Sequence, residues 1–173
     1  MLLAGFALSL SAALFVPMSI QAMAERSQLI VRGTVLSQSC QQDDAGRIYT
    51  KVELKVAEVW QGQVSGDRLT IVHGGGVLGR RKVAAAGQVE YRIGEEVVAF
   101  LVLNPRGEAV TLGMCQGKFH VWTDPVSGRK RARNPFHGGE GETVSIPGTA
   151  KASDSAEPLT VDALKQQVMG AKR

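Results

Sequence analysis

Cysteine, aromatic side chains and long apolar runs are all scarce in this chain of 173 residues, which has 2 Cys and 5% aromatics. Two cysteines exclude a disulfide-dense mini-protein. Glycine is plentiful, at 20 residues, but follows no period, which excludes a collagenous repeat. Only one long uninterrupted apolar stretch exists, so a polytopic membrane protein is excluded. A hydrophobic fraction of 44% excludes a fully disordered chain. What remains is one domain of ordinary size with room for a tail.

Charge is also missing, but only locally. Met1 to Ala24 holds no charged residue, and Leu2 to Val16 is dominated by Leu, Ala, Phe and Val. Pro17 breaks the run, and Ala22 and Ala24 supply small residues at the two positions a leader peptidase reads. The pattern predicts a secretory signal peptide over residues 1–24, cleaved after Ala24. It departs from the usual form in having no Lys or Arg ahead of the apolar run. An uncleaved anchor is the competing reading, since about 20 apolar residues span a bilayer. Both readings place the rest of the chain outside the cytoplasm, and cleavage leaves no stable membrane span. Asn104 and Asn134 are each followed by Pro, so neither accepts an N-glycan.

In an oxidising compartment the even cysteine count predicts a Cys40–Cys115 disulfide, contributing about 4 kcal/mol on the chain-entropy model. No CxxC spacing and no adjacent His point to a redox or metal pair.

Beyond the leader the texture is that of strands. Gln28 to Ser37 is rich in branched residues. Tyr49 to Val56 alternates, with Val52, Leu54 and Val56 on one side and Lys51, Glu53 and Lys55 on the other. The phase changes at Ala57–Glu58, which calls for a β-bulge. Arg68 to His73 reads as a third strand, Gly74 to Gln88 as a flexible glycine-rich loop, and Val89 to Arg92 as a short strand. Glu96 to Leu103 is continuously apolar after its first residue, as in a strand buried on both faces. Glu108 to Gly113 and Lys118 to Thr123 complete five or six strands, and Gly and Pro turns between short strands indicate a small barrel or sandwich. The domain is expected over 25–135. Residues 136–158 read as a linker or irregular tail, and 159–173 as a C-terminal helix with Thr160 as N-cap and Val161, Leu164 and Val168 as its apolar stripe.

The order of these segments carries a resemblance. VRGTV at Val31 to Val35 is followed by the long strand ending in Trp60, Gln61 and Gly62. YRIGEEVVAFL at Tyr91 to Leu101 and GKFHV at Gly117 to Val121 follow later. The chain resembles exported bacterial proteins of unknown function and, more remotely, the netrin-like modules that include the tissue inhibitors of metalloproteinases. The resemblance covers about Leu29 to Val121. It implies a five-stranded OB-type Greek-key barrel in a periplasmic or secreted protein. Those inhibitors chelate zinc with a free N-terminal cysteine. Here no cysteine precedes Cys40 and cleavage exposes Glu25, so that chemistry is not carried over.

Candidate chemistry is thin. His73, His120 and His137 show no metal-ligand spacing. Gly74 to Gly76 follows a strand but lacks the Gly-Lys-Ser/Thr ending of a phosphate loop. Ser37 and Ser39 have no nucleophile elbow, and Asp43 and Asp44 lie in a polar turn where Asp is expected anyway. No catalytic residue, metal or cofactor is expected. The net charge of +4 is modest, but it gathers in two clusters: Arg80, Arg81 and Lys82 in the glycine-rich loop, and Arg129, Lys130 and Arg131 after the last strand. Such clusters attract anions. Single-stranded nucleic acid is disfavoured, because few aromatics stand on polar strand faces. The expected function is therefore a non-catalytic envelope module that contacts a protein or an anionic glycan through these basic loops. The two rivals are a regulator of an extracytoplasmic metalloprotease and a small hydrolase or metal enzyme.

Overall fold

β-Branched residues at alternate positions build the two longest strands, β1 (Leu29–Gln42) and β2 (Ile48–Gln61), each of 14 residues. The computed structural model describes residues 16–84, 87–139 and 159–171. The expected leader falls outside the described residues up to position 15, as does the expected tail from 140 to 158. β1 and β2 pair antiparallel across a turn at Asp43 to Arg47. Asp43 closes that turn, its carboxylate accepting from the Ala45 and Arg47 N–H groups. The phase change noted at Ala57 is a register shift: Gly33 pairs with Val56, while Arg32 pairs with Glu58. By Trp60 the strand presents its side chain to a different core from that of Leu54.

The other strands are β3 (Arg68–Gly74), β4 (Gly76–Leu78), β5 (Arg81–Val83), β6 (Glu96–Leu103), β7 (Ala109–Thr111), β8 (Lys118–Thr123) and β9 (Lys130–Arg133). Seven form one sheet in the order β1-β2-β3-β7-β6-β8-β9, and β1 also pairs with β6. The neighbours β1, β2, β3, β7 and β6 therefore return to β1. All these contacts are antiparallel except the β3–β7 pair at Ile71 and Ala109. β4 and β5 form a separate two-stranded ribbon inside the segment expected to be a flexible loop. β9 was not expected either, and no strand forms at Val89 to Arg92, although Val89 and Tyr91 are buried.

Two apolar cores follow from the sidedness of β6. Val97, Ala99 and Leu101 join Val31, Val52, Leu54 and Ile71 within the ring of paired strands. Val98 and Phe100 face the opposite way and meet Phe119, Val121 and two helices, α1 (Ile20–Arg26) and α2 (Val161–Gly170). The continuous apolar run is thus a strand buried on both faces. α2 begins as expected: the Thr160 hydroxyl accepts from the Ala163 N–H at 3.1 Å. It docks Val161, Leu164 and Val168 into the second core. Each such side chain contributes about 1.5–3 kcal/mol of burial.

The expected N-terminal boundary falls within a helix. The bond after Ala24 lies inside α1, and Met23 and Ala24 are 0% and 2% exposed. No helix among the described residues is long and apolar enough to cross a membrane.

Candidate functional site

Consecutive glycines set the position of the first basic cluster. Gly75 and Gly76 have φ of +78° and +139°, where side chains are strained. A Cβ on Gly76 would lie 2.4 Å from Thr50 Oγ1 and 2.7 Å from Cys40 Sγ. The glycine run is therefore a tight joint at which the ribbon leaves the sheet, held by the Thr50 hydroxyl donating to the Gly75 carbonyl at 2.8 Å. β4 and β5 then pair Val77 with Lys82 and Leu78 with Arg81. Arg80, Arg81 and Lys82 are exposed at the turn and along β5, beside exposed Val77 and Val83. None of the three cations has an acidic partner among the described residues.

The second cluster has a different fate. Lys130 donates to Glu96 at 2.5 Å, and Arg131 Nε lies 2.5 Å from Asp124 Oδ2. Only Arg129 of the three is free of an acidic partner among the described residues, at the end of the Asp124 to Gly128 turn. Donation from the Ser127 and Val126 N–H groups and the nearby Arg131 hold the Asp124 carboxyl below the usual range. Of the six cations expected as contacts, Lys130 and Arg131 are thus ion-paired within the fold. They belong to β9, whose alternate residues turn to opposite faces of the sheet.

Lys130 ends a chain of charges that fastens α2 to the sheet. Arg32 donates to both Glu58 (2.5 Å) and Glu96 (2.8 Å), and Lys165 of α2 donates to Glu58 at 2.8 Å. Lys165, the Trp60 indole N–H and Arg32 together hold the Glu58 carboxyl down at about 2.

A second polar seam crosses the opposite face. Glu95 accepts from Lys118 Nζ at 2.7 Å and lies 3.0 Å from His120 Nδ1. His120 stacks on Trp122 with centroids 5.8 Å apart, and Arg133 covers Trp122 at 5.1 Å. Lys118 also lies over the ring of Tyr91, whose phenol is pushed well up by burial. The sequence signal for this seam was the spacing of Lys118, His120 and Trp122 at i, i+2 and i+4 of one strand. The seam fastens the irregular Val89 to Glu95 segment over the end of the first core. Among the described residues no hydroxyl or thiol is bonded to its carboxylate–imidazole pair.

The remaining candidates are dispersed. His73 stacks against Tyr91 at 6.4 Å, and His137 lies by Phe119, burial lowering its pKa. No group of three or more metal-ligating side chains occurs among the described residues. Cys40 is on β1 under the ribbon joint. Cys115 is in the short 3₁₀ turn Met114–Gly117, its N–H donating to the Gly87 carbonyl at 3.1 Å. The two thiols are unbridged in this structure, and burial pushes the Cys115 thiol up. Two open depressions of about 440 and 230 Å³ lie along β2 and β3. The arginines that line them are paired: Arg68 with Glu53, Arg47 with Asp43, Arg106 with Glu108. The smaller depression, with Asp43, Arg47, Arg106 and Glu108, is thus close to neutral, and the larger also holds Lys51, which has no acidic partner among the described residues. No family model matches the chain, and no curated protein matches it.

Proposed function

We propose that this chain is an exported, non-catalytic interaction module of the cell envelope that holds an anionic partner on its β4–β5 ribbon. The observation that carries the reading is the contrast in charge pairing. Most arginines and lysines on the sheet are matched to carboxylates, Lys51, Lys55 and Arg133 excepted, while Arg80, Arg81 and Lys82 stand together on an exposed ribbon with no acidic partner among the described residues. Unmatched like charges repel one another and are stabilised when an anion arrives. The exposed Val77 and Val83 beside them add an apolar margin. Glycan sulfates, phosphates or uronates and the carboxylates of an acidic protein share the required chemistry.

The scaffold in this proposal is an OB-type Greek-key barrel. In its support, the pairings return from β6 to β1, and the one parallel contact joins β3 to β7. OB barrels bind ligands through loops and one sheet face, and a ribbon between the third and fourth ring strands extends that surface.

The test is binding of a sulfated polysaccharide and of an acidic polypeptide at low and high salt. The native chain is expected to bind at least one of them with an affinity that falls as salt screens the contact over about 8 Å at physiological ionic strength. The triple substitution Arg80→Ser, Arg81→Ser, Lys82→Ser is expected to abolish that binding, and Arg129→Ser to leave most of it. Equal binding by the native chain and the triple variant would sink the proposal.

A further inference from the structure

We propose that Val16 to Arg26 remain in the mature folded protein, and that the secretory leader is removed upstream of Val16 rather than after Ala24. This rests on the leader reading of the N-terminus but not on the ribbon. Ala22 and Ala24 satisfy the small-residue rule, yet the structure uses both sides of that bond. Ser19 caps α1, its hydroxyl accepting from the Ala22 N–H at 3.1 Å. Ile20, Met23 and Ala24 are 6%, 0% and 2% exposed, within the core that also holds Phe100, Phe119 and Leu164. A cut after Ala24 removes all three and uncovers the face of α2 that packs on α1.

An independent observation comes from Gln116, a side chain only 5% exposed. Its Oε1 accepts from the Met18 N–H at 2.9 Å, and its Nε2 donates to the Val16 carbonyl at 3.3 Å. Both ends of this buried amide are therefore satisfied by chain that the expected cut would discard. A buried amide stripped of its partners is costly. Gly113 completes the seat: a Cβ there would meet Met18 Cε at 2.4 Å. On the other side of the bond, Gln61 Nε2 donates to the carbonyls of Ala24 and Ser27, tying α1 to β2.

Upstream, Ser11 and Ala13 supply small residues at the right spacing and leave an apolar run ahead of them. Hydrolysis of the Ala13–Leu14 bond by a leader peptidase consumes one water. The water oxygen joins the carboxylate of the leader, and the mature chain gains a free amine.

The experiment is to express the full precursor in a Gram-negative host, recover the exported protein, and determine its amino terminus by intact mass and N-terminal sequencing. The expected terminus lies upstream of Val16, at Leu14 for the pair named. A terminus at Glu25 overturns the proposal alone. A chain that still begins at Met1 overturns the proposed upstream cleavage together with the leader reading. Two variants separate the sites. Ala22→Lys blocks the downstream bond and is expected to leave the terminus unchanged. Ala13→Arg is expected to stop processing. A terminus that moves in Ala22→Lys but not in Ala13→Arg contradicts the proposal.

Discussion

Truncating Leu164 to Ala tests whether the last helix belongs to the core or hangs from it. Leu164 is 0% exposed and shares its cluster with Met23, Phe100 and Phe119. Leu→Ala at such a site loses the transfer free energy of the removed carbons and leaves a cavity, together about 3–4 kcal/mol. For a chain of this length each kcal/mol moves the melting temperature by about 2–4 °C, so Leu164→Ala is expected to melt about 10 °C early. Thermal unfolding followed by circular dichroism reads this directly. Two controls lie on the same helix. Met169 is 40% exposed, and Met169→Ala is expected to stay within about 0.5 kcal/mol of the parent. Lys165→Ala removes a half-exposed ion pair to Glu58 and is expected to cost less than about 1 kcal/mol. A midpoint for Leu164→Ala within about 2 °C of the parent would refute the docking of α2 and the division into two cores.

Acid should loosen the charge chain that ties α2 to the sheet. The folded pKa of Glu58, about 2, lies below its ordinary value of 4.5, so its contribution is complete above about pH 4.5 and drains away as pH falls toward 2. With its side chain 35% exposed, solvent screening reduces this to about 1 kcal/mol. Glu58→Gln is expected to flatten the melting-temperature profile in that window relative to the parent, and parallel profiles would contradict the assignment. Gly33→Ala tests the crowding where β1 is paired on both edges. The added Cβ would lie 2.3 Å from the Lys55 carbonyl oxygen and 3.0 Å from Leu54 Cγ, and the expected cost is about 1–3 kcal/mol by denaturant unfolding, with a neutral result arguing against the register.

The parts of the fold visible in the sequence were those where one physical signal dominates. Val52 and Leu54 alternate with charged neighbours, and both are buried on β2. The run after Glu96 has no polar face, and β6 has none to expose. Thr160 followed by the Val161, Leu164, Val168 stripe became α2. The misses have equally definite causes. α1 is a seven-residue helix whose Ala22, Met23 and Ala24 lie close behind an apolar run, a composition that also fits a leader cleavage region. β9 has one buried apolar residue, Ala132, among three cations, so alternation had a single reporter. The three-residue strands β4 and β5 are too short for any periodicity to declare itself. In the site, Arg80 to Lys82 were singled out by charge, but Lys130 owes its pairing to Glu96, 34 positions away, and no local pattern reports such a contact.

The proposal that the ribbon is the contact surface is tested most directly by amide hydrogen exchange of the native chain, free and with a saturating anionic probe bound. The account predicts that protection rises over Gly76 to Val83 and at the Gly74–Gly76 joint, with the β8–β9 turn and the β2–β3 depressions unchanged. Protection that appears at Arg129 to Arg133, or along β2 and β3, while Gly76 to Val83 exchanges as before would contradict it.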